Sequence, residues 1–534
     1  MALARQTWQP GSTTPHPHAR AIDWRWPAFV IGMVCLLTVP PILVAAFATP
    51  RTSVFSGYVV IARDAFVYQA MWRDGWQGAW LFHPAFTSES VPGIFLYPWY
   101  LWPAHLVGWA AGPWLYHATR VAAAAALLVA VWLLIAELFR PRLLRRWAFV
   151  LCILGGGVGA LLPRDVHLGP WITHATEMTS PGTSVADLIS MAPHLPWALG
   201  LMCWAMVVAL RLRRHTGRWL PASGVLAVVG LQLIYPQLAL LAVAAIAGWS
   251  LLRRHRRAFW FAAATALVQL PYLAYLFWVW QTAPAALRVI RPALDVGDPF
   301  GFLVLSHLAA SSLIVVALWR RRLRGDLLLP ALWIAGMTLF MFTPGISGTL
   351  GRSFMASSVP FGLCAAPGLL ALLRLVRRRQ WRRRVVVVTL AASSLFGLFS
   401  LAQPYWIAAF HLDPFAEYEN ANEAALLNRL APSVSRHDIV LTTYLDGLFV
   451  PAQTDARAYD GHPDMTIDAG RKSSEVLAFF TSWNAAERAE FLRVNHIGYV
   501  LTTSALFRER MVHDAPLRLV DRQGSAALFA VVRQ

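Results

Sequence analysis

Long apolar stretches alternate with short arginine-rich segments along most of the chain. The first two apolar stretches, Trp26–Ala48 and Trp114–Phe139, are long enough for the roughly 20 residues that a helix needs to cross a bilayer. Nine further stretches of the same character follow, at about 147–162, 194–212, 219–235, 236–252, 258–280, 299–319, 327–342, 356–376 and 385–407. The pattern predicts an α-helical polytopic membrane protein with about eleven spans.

The composition supports this prediction and excludes a water-soluble protein. Hydrophobic residues make up 57% of the 534 residues and charged residues 14%, against roughly 45–50% and 25% in soluble domains. The cysteines all lie within apolar stretches, and their spacing fits no metal motif. We therefore expect four buried packing residues, which are Cys35, Cys152, Cys203 and Cys364.

The positive charge follows the membrane topology. Short arginine-rich loops between apolar spans mark the cytoplasmic side of a membrane protein. Such clusters lie at 140–146, 211–218, 253–257, 320–324 and 374–384. This pattern places residues 1–26 in the cytoplasm and residues 408–534 outside. The net charge of +19 therefore predicts an orientation, and we expect no nucleic-acid partner.

The membrane domain is predicted to cover residues 27–407, with four segments on the outer side. These outer loops are 49–113, 163–193, 281–298 and 343–355. Within the first of them, Ile94–Gly112 is rich in Trp and Tyr and is interrupted by prolines. Amphipathic aromatic side chains favour the membrane–water interface. This segment is therefore predicted to be interfacial or re-entrant.

Residues 408–534 are predicted to form a small extracytoplasmic α/β domain, here called the tail. Helical periodicity at 417–430 alternates with strand-like segments such as DIVLTT (438–443) and GYVLT (498–502). The tail sequence DGHP (460–463) is typical of a turn. A buried site that uses His462, Asp464 and Thr466 is the alternative interpretation of this turn.

Acidic residues point to chemistry at the outer face. Glu137 is the one acid inside a predicted span, which argues against a proton-coupled transporter or channel. Asp64 follows the first span in the sequence RDAFVYQA (63–70). A carboxylate there can accept the proton of an acceptor hydroxyl during glycosyl transfer. The alternative is that Asp64 caps a helix or pairs with Arg63 or Arg51.

Asp64, Tyr68 and the following aromatic segment resemble the first outer loop of the GT-C superfamily of polyprenyl-phosphate-sugar-dependent membrane glycosyltransferases, and especially its large bacterial branch. In that family, an acid in a short Asp-x-x-x-Tyr helix follows the first span, and an aromatic juxtamembrane helix comes next. The resemblance extends in layout over about 27–407. The family often has a second acid beside the first, where this chain has Ala65.

The resemblance implies roles for six residues. Asp64 is the expected base, and Asp165, which matches a further acid of the family after the third span, is expected to assist. Tyr68 is expected to contact the substrate. A polyprenyl phosphate leaving group requires cations, for which the outer loops offer Arg288, Arg291 and Arg352. Contact with lipid head groups is the alternative for each arginine.

No metal site and no cofactor are predicted for the reaction. The second outer loop nevertheless leaves a divalent cation open, because it combines acids and histidines whose spacing matches no ligand motif. These side chains are Asp165, His167, His174, Glu177 and Asp187.

These features predict an inverting glycosyltransferase of the bacterial inner membrane, with a cytoplasmic N-terminus and a periplasmic tail. Its donor would be a lipid-linked sugar, and its acceptor a glycan, a lipid or a protein. Two alternatives stay open. One is a transporter or flippase for a lipid-linked glycan, for which Gln232, Gln269 and His307 would be polar residues along a path. The other is a non-catalytic GT-C-like scaffold whose tail recruits a partner.

Overall fold

The computed structural model describes residues 23–108, 112–157, 182–215, 217–282, 304, 306–341, 354–355, 357–411, 417–514 and 516–532. The helices of the described membrane domain are α1 (Arg25–Leu37), α2 (Pro40–Phe47), α3 (Ala62–Trp76), α4 (Pro98–Ala104), α5 (Gly112–Leu138), α6 (Arg142–Leu154), α7 (Val185–Leu188), α8 (His194–Arg211), α9 (Trp219–Ile234), α10 (Pro236–Leu252), α11 (Arg256–Thr282), α12 (Leu308–Trp319), α13 (Leu328–Met341), α14 (Ser358–Leu375) and α15 (Arg379–Phe410).

Six helical segments in the described ranges are long and apolar enough to cross a bilayer. They are Arg25–Phe47, Gly112–Leu138, His194–Arg211, Arg256–Thr282, Ser358–Leu375 and Arg379–Phe410. Four shorter apolar helices, Trp219–Ile234, Pro236–Leu252, Leu308–Trp319 and Gly325–Phe340, lie where further spans are predicted. The structure thus supports a polytopic membrane protein, while the total of about eleven spans stays a prediction.

Small residues allow the membrane helices to pack closely. A Cβ atom at Gly368 of α14 would collide with the main chain of Leu313 in α12. The glycine run after α6 likewise allows α15 to approach closely, since a Cβ atom at Gly156 would lie 2.6 Å from Cβ of Phe396 in α15. Close approach at small residues is a common way to join helices in lipid. All four cysteines are buried and free, as expected for packing residues.

The tail contains a five-stranded sheet in the order β4-β3-β5-β7-β6. Its strands are β3 (Ile439–Leu441), β4 (Arg457–Ala458), β5 (Tyr499–Thr502), β6 (Leu517–Gln523) and β7 (Ala526–Val531). The strands β3, β4 and β5 are parallel, whereas β7 is antiparallel to β5 and β6. The tail helices are α16 (Ala421–Leu430), α17 (Tyr444–Gly447), α18 (Phe449–Gln453), α19 (Ala469–Thr481), α20 (Ala485–Val494) and α21 (Ala505–Met511).

The tail is joined to the first outer loop by strand pairing and by side-chain packing. Strand β1 (Ser53–Phe55) of this loop pairs antiparallel with β2 (Tyr418–Asn420) at the start of the tail. The ring centroids of Phe66 in α3 and Phe449 in α18 lie 4.7 Å apart. Helix α3 is therefore held between the membrane helices and the tail, and it carries Asp64.

Candidate active site

Two helices of the first outer loop, α3 and α4, begin at residues with strained backbones. Ile61, which precedes α3, has φ 47°, and Tyr97, which precedes α4, has φ 50°. A left-handed backbone is unfavourable for any residue with a Cβ and especially for a β-branched one. Each such residue costs about 1–3 kcal/mol and persists where the surrounding structure enforces it, often at a functional site. These turns set the directions of the helices that carry Asp64 and Tyr100.

Asp64 lies in the first turn of α3, and its partner comes from the tail. Its Oδ1 lies 3.2 Å from Nε2 of His462, whose side chain is only 4% exposed. The Asp64 side chain is 48% exposed, so the carboxylate is both held in place and open to the solvent. The carboxylate also lies near the positive end of the helix dipole. Asp64 therefore stabilises α3 in addition to any role in the reaction.

The hydrogen bonds of His462 define its tautomer. Its Nδ1 accepts a hydrogen bond from the backbone N–H of Asp464, at 3.2 Å. A ring nitrogen that accepts carries no proton, so the proton lies on Nε2, which donates to Asp64.

The turn that presents His462 is fixed to the first outer loop. Oγ1 of Thr466 accepts hydrogen bonds from the backbone N–H groups of Gly461 and His462, both at 3.1 Å. The same hydroxyl donates to the carbonyl oxygen of Phe86 at 2.6 Å. His462 and Thr466 thus lie together in one buried turn, whereas Asp464, the third residue of the tail site that the sequence offered as an alternative, is exposed. That arrangement contacts the first loop and Asp64.

In the GT-C pattern that the first outer loop resembles, a second acid often stands where this chain has Ala65. Ala65 is fully buried. A carboxylate at this position would be removed from water and would be costly unless it were paired. The departure from the family pattern therefore matches the local packing of α3 against the tail.

Tyr68 lies one helical turn after Asp64 and belongs to a cluster of aromatic rings. Its ring stacks on Tyr100 of α4 with centroids 4.4 Å apart and an interplanar angle of 13°. It also contacts His194 of α8 edge-to-face at 5.1 Å. Burial, and secondarily the charge of Asp64, raise the pKa of Tyr68 well above its ordinary value. Tyr68 therefore stays protonated, and its ring links Asp64 to the membrane helices.

The Tyr68 ring borders a cavity of about 180 Å³ between α3, α4, α5 and α8, which we call the aromatic cavity. The tyrosine hydroxyl of Tyr100 lies 2.7 Å from Nδ1 of His194 in its wall. Seven aromatic rings line it, those of Tyr58, Tyr68, Trp72, Trp99, Tyr100, Tyr116 and Trp197. A ligand with an apolar face can fill such a space.

The remaining predicted site residues, Asp165, Arg288, Arg291 and Arg352, lie outside the described residues. Within the part of the chain that the structure describes, no group of three or more His, Cys, Asp or Glu side chains could hold a metal ion. Asp187, the described acid of the second outer loop, accepts a hydrogen bond from the Gly182 N–H at 2.5 Å. Burial raises the pKa of Asp187 to about 6.

Lys472 joins the tail to the first outer loop, a role that the sequence analysis did not foresee. Its side chain is 1% exposed. The ammonium donates to Oε2 of Glu89 at 2.7 Å, to Oγ of Ser88 at 2.8 Å and to Oγ1 of Thr87 at 3.2 Å. A signal was present in the sequence, because Lys472 is the single lysine of the chain. These bonds stabilise the contact that brings His462 to Asp64.

Arg120 of α5 is a second basic residue that the sequence analysis did not single out. It is buried, and its guanidinium donates to the carbonyl oxygens of Thr38 and Ile189, both at 2.9 Å. A lone arginine in an apolar span usually marks a function. Here the guanidinium satisfies two carbonyl groups, that of Thr38 at the end of α1 and that of Ile189 before the start of α8. These contacts indicate a structural role.

Comparisons with known proteins show the fold. No protein-family model and no curated protein matches the chain. Among solved structures, the oligosaccharyltransferase of Archaeoglobus fulgidus in its apo form aligns with a TM-score of 0.56 at 12% identity, over 90% of this chain and 69% of that one. The same enzyme, tethered with an acceptor peptide containing the NVT sequon via a disulfide bond, gives a TM-score of 0.53 at 11% identity, over 96% and 74%. The chain thus shares its fold with this oligosaccharyltransferase, which supports the resemblance to the GT-C superfamily stated for its first outer loop.

Proposed function

We propose that the protein is a membrane glycosyltransferase. It moves a sugar from a polyprenyl-phosphate donor to a glycan, lipid or protein acceptor at the outer face of a bacterial inner membrane. The observation that carries this proposal is the position of Asp64, whose exposed carboxylate lies one helical turn from the aromatic cavity in a GT-C fold. His462 holds one carboxylate oxygen, and no described residue donates a hydrogen bond to the other.

The chemistry is an inverting displacement. The acceptor oxygen attacks the anomeric carbon on the face opposite the phosphate, and a new carbon–oxygen bond forms as the bond to the phosphate oxygen breaks. The polyprenyl phosphate leaves with the bonding electron pair. The acceptor proton passes to Oδ2 of Asp64, which acts as the general base. His462 is a positioning residue, because it contacts the base and fixes its orientation.

The other predicted residues complete this scheme. Tyr68 contacts the sugar from the wall of the aromatic cavity. Asp165 assists by orienting the acceptor, and the cationic side chains of Arg288, Arg291 and Arg352 bind the phosphate. Cations near a developing phosphate charge stabilise the transition state.

The proposed orientation rests on the two ends of α5 and α8. At one end, Tyr116 and His194 line the aromatic cavity. At the other end, Nε of Arg211 lies 2.7 Å from Oε1 of Glu137, next to the arginine clusters. Because arginine-rich loops stay in the cytoplasm, the end with the cavity, Asp64 and the tail lies outside, in the periplasm.

The contacts of the polar residues within the membrane domain favour transfer over transport. The side chain of Gln232 donates to the carbonyl oxygen of Gln269 at 2.7 Å, and Nε2 of His307 lies 2.6 Å from Oγ of Ser357. Transport paths usually require ionisable or polar groups that face an aqueous cavity. These groups bind neighbouring helices instead, so the transporter or flippase remains the second candidate.

The test replaces Asp64 by Asn, which keeps the shape and removes the base. Wild-type and variant protein are reconstituted at equal amounts in bilayers with a panel of polyprenyl-phosphate sugars, and the transferred sugar is measured. Loss of a general base lowers turnover by about 10²- to 10⁴-fold. The matched control is Asp521→Asn, which removes an exposed tail carboxylate far along the chain. Unchanged transfer by Asp64→Asn contradicts the proposal and favours the scaffold or transporter.

A further inference from the structure

Arg120 of α5 carries a buried positive charge that no negative charge among the described residues balances. The residue is 2% exposed, and its guanidinium has five N–H groups. Three of them find acceptors, which are the carbonyl oxygens of Thr38 and Ile189 at 2.9 Å and Nδ1 of His117 at 3.4 Å. None of these acceptors is an acid, and no described acid forms an ion pair with Arg120. Two N–H groups, one on each terminal nitrogen, therefore remain for another partner.

The residues that hold the guanidinium also border a small cavity. This space of about 20 Å³ is lined by Arg120 together with Thr38, His117 and Ser190, and Ser190 directly follows Ile189. We call it the Arg120 cavity. Because the bonded neighbours of the guanidinium surround this space, the positive charge lies beside it.

The volume and the charge together select the occupant of the Arg120 cavity. One water molecule needs roughly 10–15 Å³ of such space, so the cavity admits one particle of about that size and excludes a phosphate group. A water molecule could accept hydrogen bonds from the two N–H groups, but it would leave the charge uncompensated. A buried charge is costly unless an opposite charge pairs with it. A chloride ion is only slightly larger than water, accepts several hydrogen bonds and carries the missing negative charge.

We propose that the Arg120 cavity binds a chloride ion. The ion accepts hydrogen bonds from the guanidinium, which in turn holds the carbonyl groups at the end of α1 and before α8. Chloride therefore strengthens the joint between these two segments and α5. This binding site does not depend on the proposed function.

The location of the ion gives it an influence on the candidate active site. Arg120 lies about 12 Å along α5 from Gly112, at which the helix begins. Tyr58 and Tyr116 line both the Arg120 cavity and the aromatic cavity. Chloride thus also supports the wall that the two cavities share.

The experiment measures chloride binding to the full-length protein in phosphatidylcholine nanodiscs. The protein is equilibrated in sodium gluconate, whose anion is too large for the cavity, and chloride then replaces gluconate stepwise at constant ionic strength. Bound radioactive chloride and the unfolding temperature are measured at each step. We expect saturable binding and a rise of the unfolding temperature on the order of 2 °C, because a ligand that binds only the folded state stabilises it.

Two variants separate the charge from the space. Arg120→Gln removes the charge but can still donate to a carbonyl group, whereas Ser190→Val keeps the charge and narrows the cavity. Each is expected to bind chloride about tenfold more weakly or less, as for a lost hydrogen bond to a charged group. Arg145→Gln is the matched control and should respond as the wild type does. Nε of Arg145 also donates to a carbonyl oxygen, that of Phe139 at 2.6 Å, but this residue lies in α6, beyond the other end of α5.

Three results would overturn the inference. Absence of chloride binding in the wild type would leave water as the occupant. An equal response of the wild type and Arg120→Gln would place the ion elsewhere; if Arg120→Gln does not fold, an unchanged response of Ser190→Val has the same meaning. Phosphatidylglycerol nanodiscs supply anionic head groups, so a chloride effect that vanishes in them would assign the site to a lipid phosphate. None of these measurements requires sugar transfer, so their failure differs from a failure of the proposed function.

Discussion

Nε2 of His462 lies 3.2 Å from Oδ1 of Asp64, although 398 positions separate the two residues in the chain. Asp64 lies in the first turn of helix α3 in the first outer loop, and His462 lies in a turn of the tail. The contact means that the tail supplies a side chain to the candidate active site. The tail is therefore expected to be required for activity even if it never contacts the substrate.

Replacement of His462 tests this contact. We expect His462→Ala to lower the turnover number about tenfold, because the Asp64 carboxylate loses the bond that orients it. His462→Gln should restore part of the loss, since the amide NH₂ of Gln can take the place of Nε2. The Michaelis constant for the donor should change little, because His462 contacts the base rather than the sugar.

The measurement is steady-state transfer with a polyprenyl-phosphate sugar, with the abundance and unfolding temperature of each variant determined in parallel. His437, a histidine in an exposed turn before β3, provides the matched control as His437→Ala. Equal losses in the Ala and Gln variants, with a lower unfolding temperature in both, would show that His462 has a structural role only.

Ala65→Asp introduces the second acid that the GT-C pattern often contains. Ala65 is completely buried, so we expect the variant to lose about 3 kcal/mol or more of stability, as for other unpaired buried charges. Activity should fall with the folded fraction. Ala65→Ser, which adds a small polar group, should lose less. An active and stable Ala65→Asp protein would show that the helix can turn this position towards the solvent.

The bond between Lys472 and Glu89 should hold the tail on the first loop. Burial raises the pKa of Glu89, but the hydrogen bonds from Lys472 and Thr87 outweigh it, so the pKa lies below its ordinary value. A lowered folded-state pKa contributes stability above the unfolded pKa near 4.3, and this stability is lost as the pH falls through the folded value. Lys472→Met should therefore destabilise the tail at pH 7 and weaken its acid sensitivity.

Limited proteolysis and thermal unfolding between pH 3 and pH 7 measure this effect. We expect about 1–2 kcal/mol at pH 7, since Glu89 is partly exposed and solvent screens the pair. A double-mutant cycle with Glu89→Gln isolates the interaction from the loss of packing. An interaction energy of zero would show that Lys472 acts through Thr87 and Ser88 alone.

The sequence predicted the features that depend on local patterns. The apolar runs that became α5 and α8 are long and continuous, and DIVLTT and GYVLT contain the strands β3 and β5. The three-residue strands β1 and β2 escaped prediction because a segment so short has no measurable periodicity. The number of spans also stayed open, since helices such as α9 are near the minimum length for a bilayer.

The candidate site was predicted only in part, because its contacts are distant in sequence. Asp64 and Tyr68 share one helix, and a spacing of four residues predicts that they lie on one face. The sequence places His462 in a turn of the tail, but no local signal could join it to α3.

Three buried acids of the tail predict a loss of stability at alkaline pH. Burial raises the pKa of Glu419 to about 8, and burial also raises the pKa values of Glu423 and Asp446. A raised folded-state pKa contributes stability that is complete below the unfolded value near 4.3 and is lost as the pH rises through about 8. The unfolding temperature of the tail should thus fall between pH 5 and pH 8, and Glu419→Gln should reduce the fall.

The effect is measured by thermal unfolding of the full-length protein at these two pH values, and a probe placed in the tail monitors the unfolding. Each unit of difference between the folded-state and unfolded-state pKa of Glu419 corresponds to about 1.4 kcal/mol of stability. Even part of this difference is therefore measurable at pH 8. Asp521→Asn is the control, because a hydrogen bond from Arg429 lowers the pKa of Asp521, and its contribution therefore does not change between pH 5 and pH 8. If Glu419→Gln kept the full wild-type fall, the carboxyl of Glu419 would already be ionised at pH 5. Its bond from Nε2 of Gln453, at 2.5 Å, would then be strong enough to hold a buried negative charge.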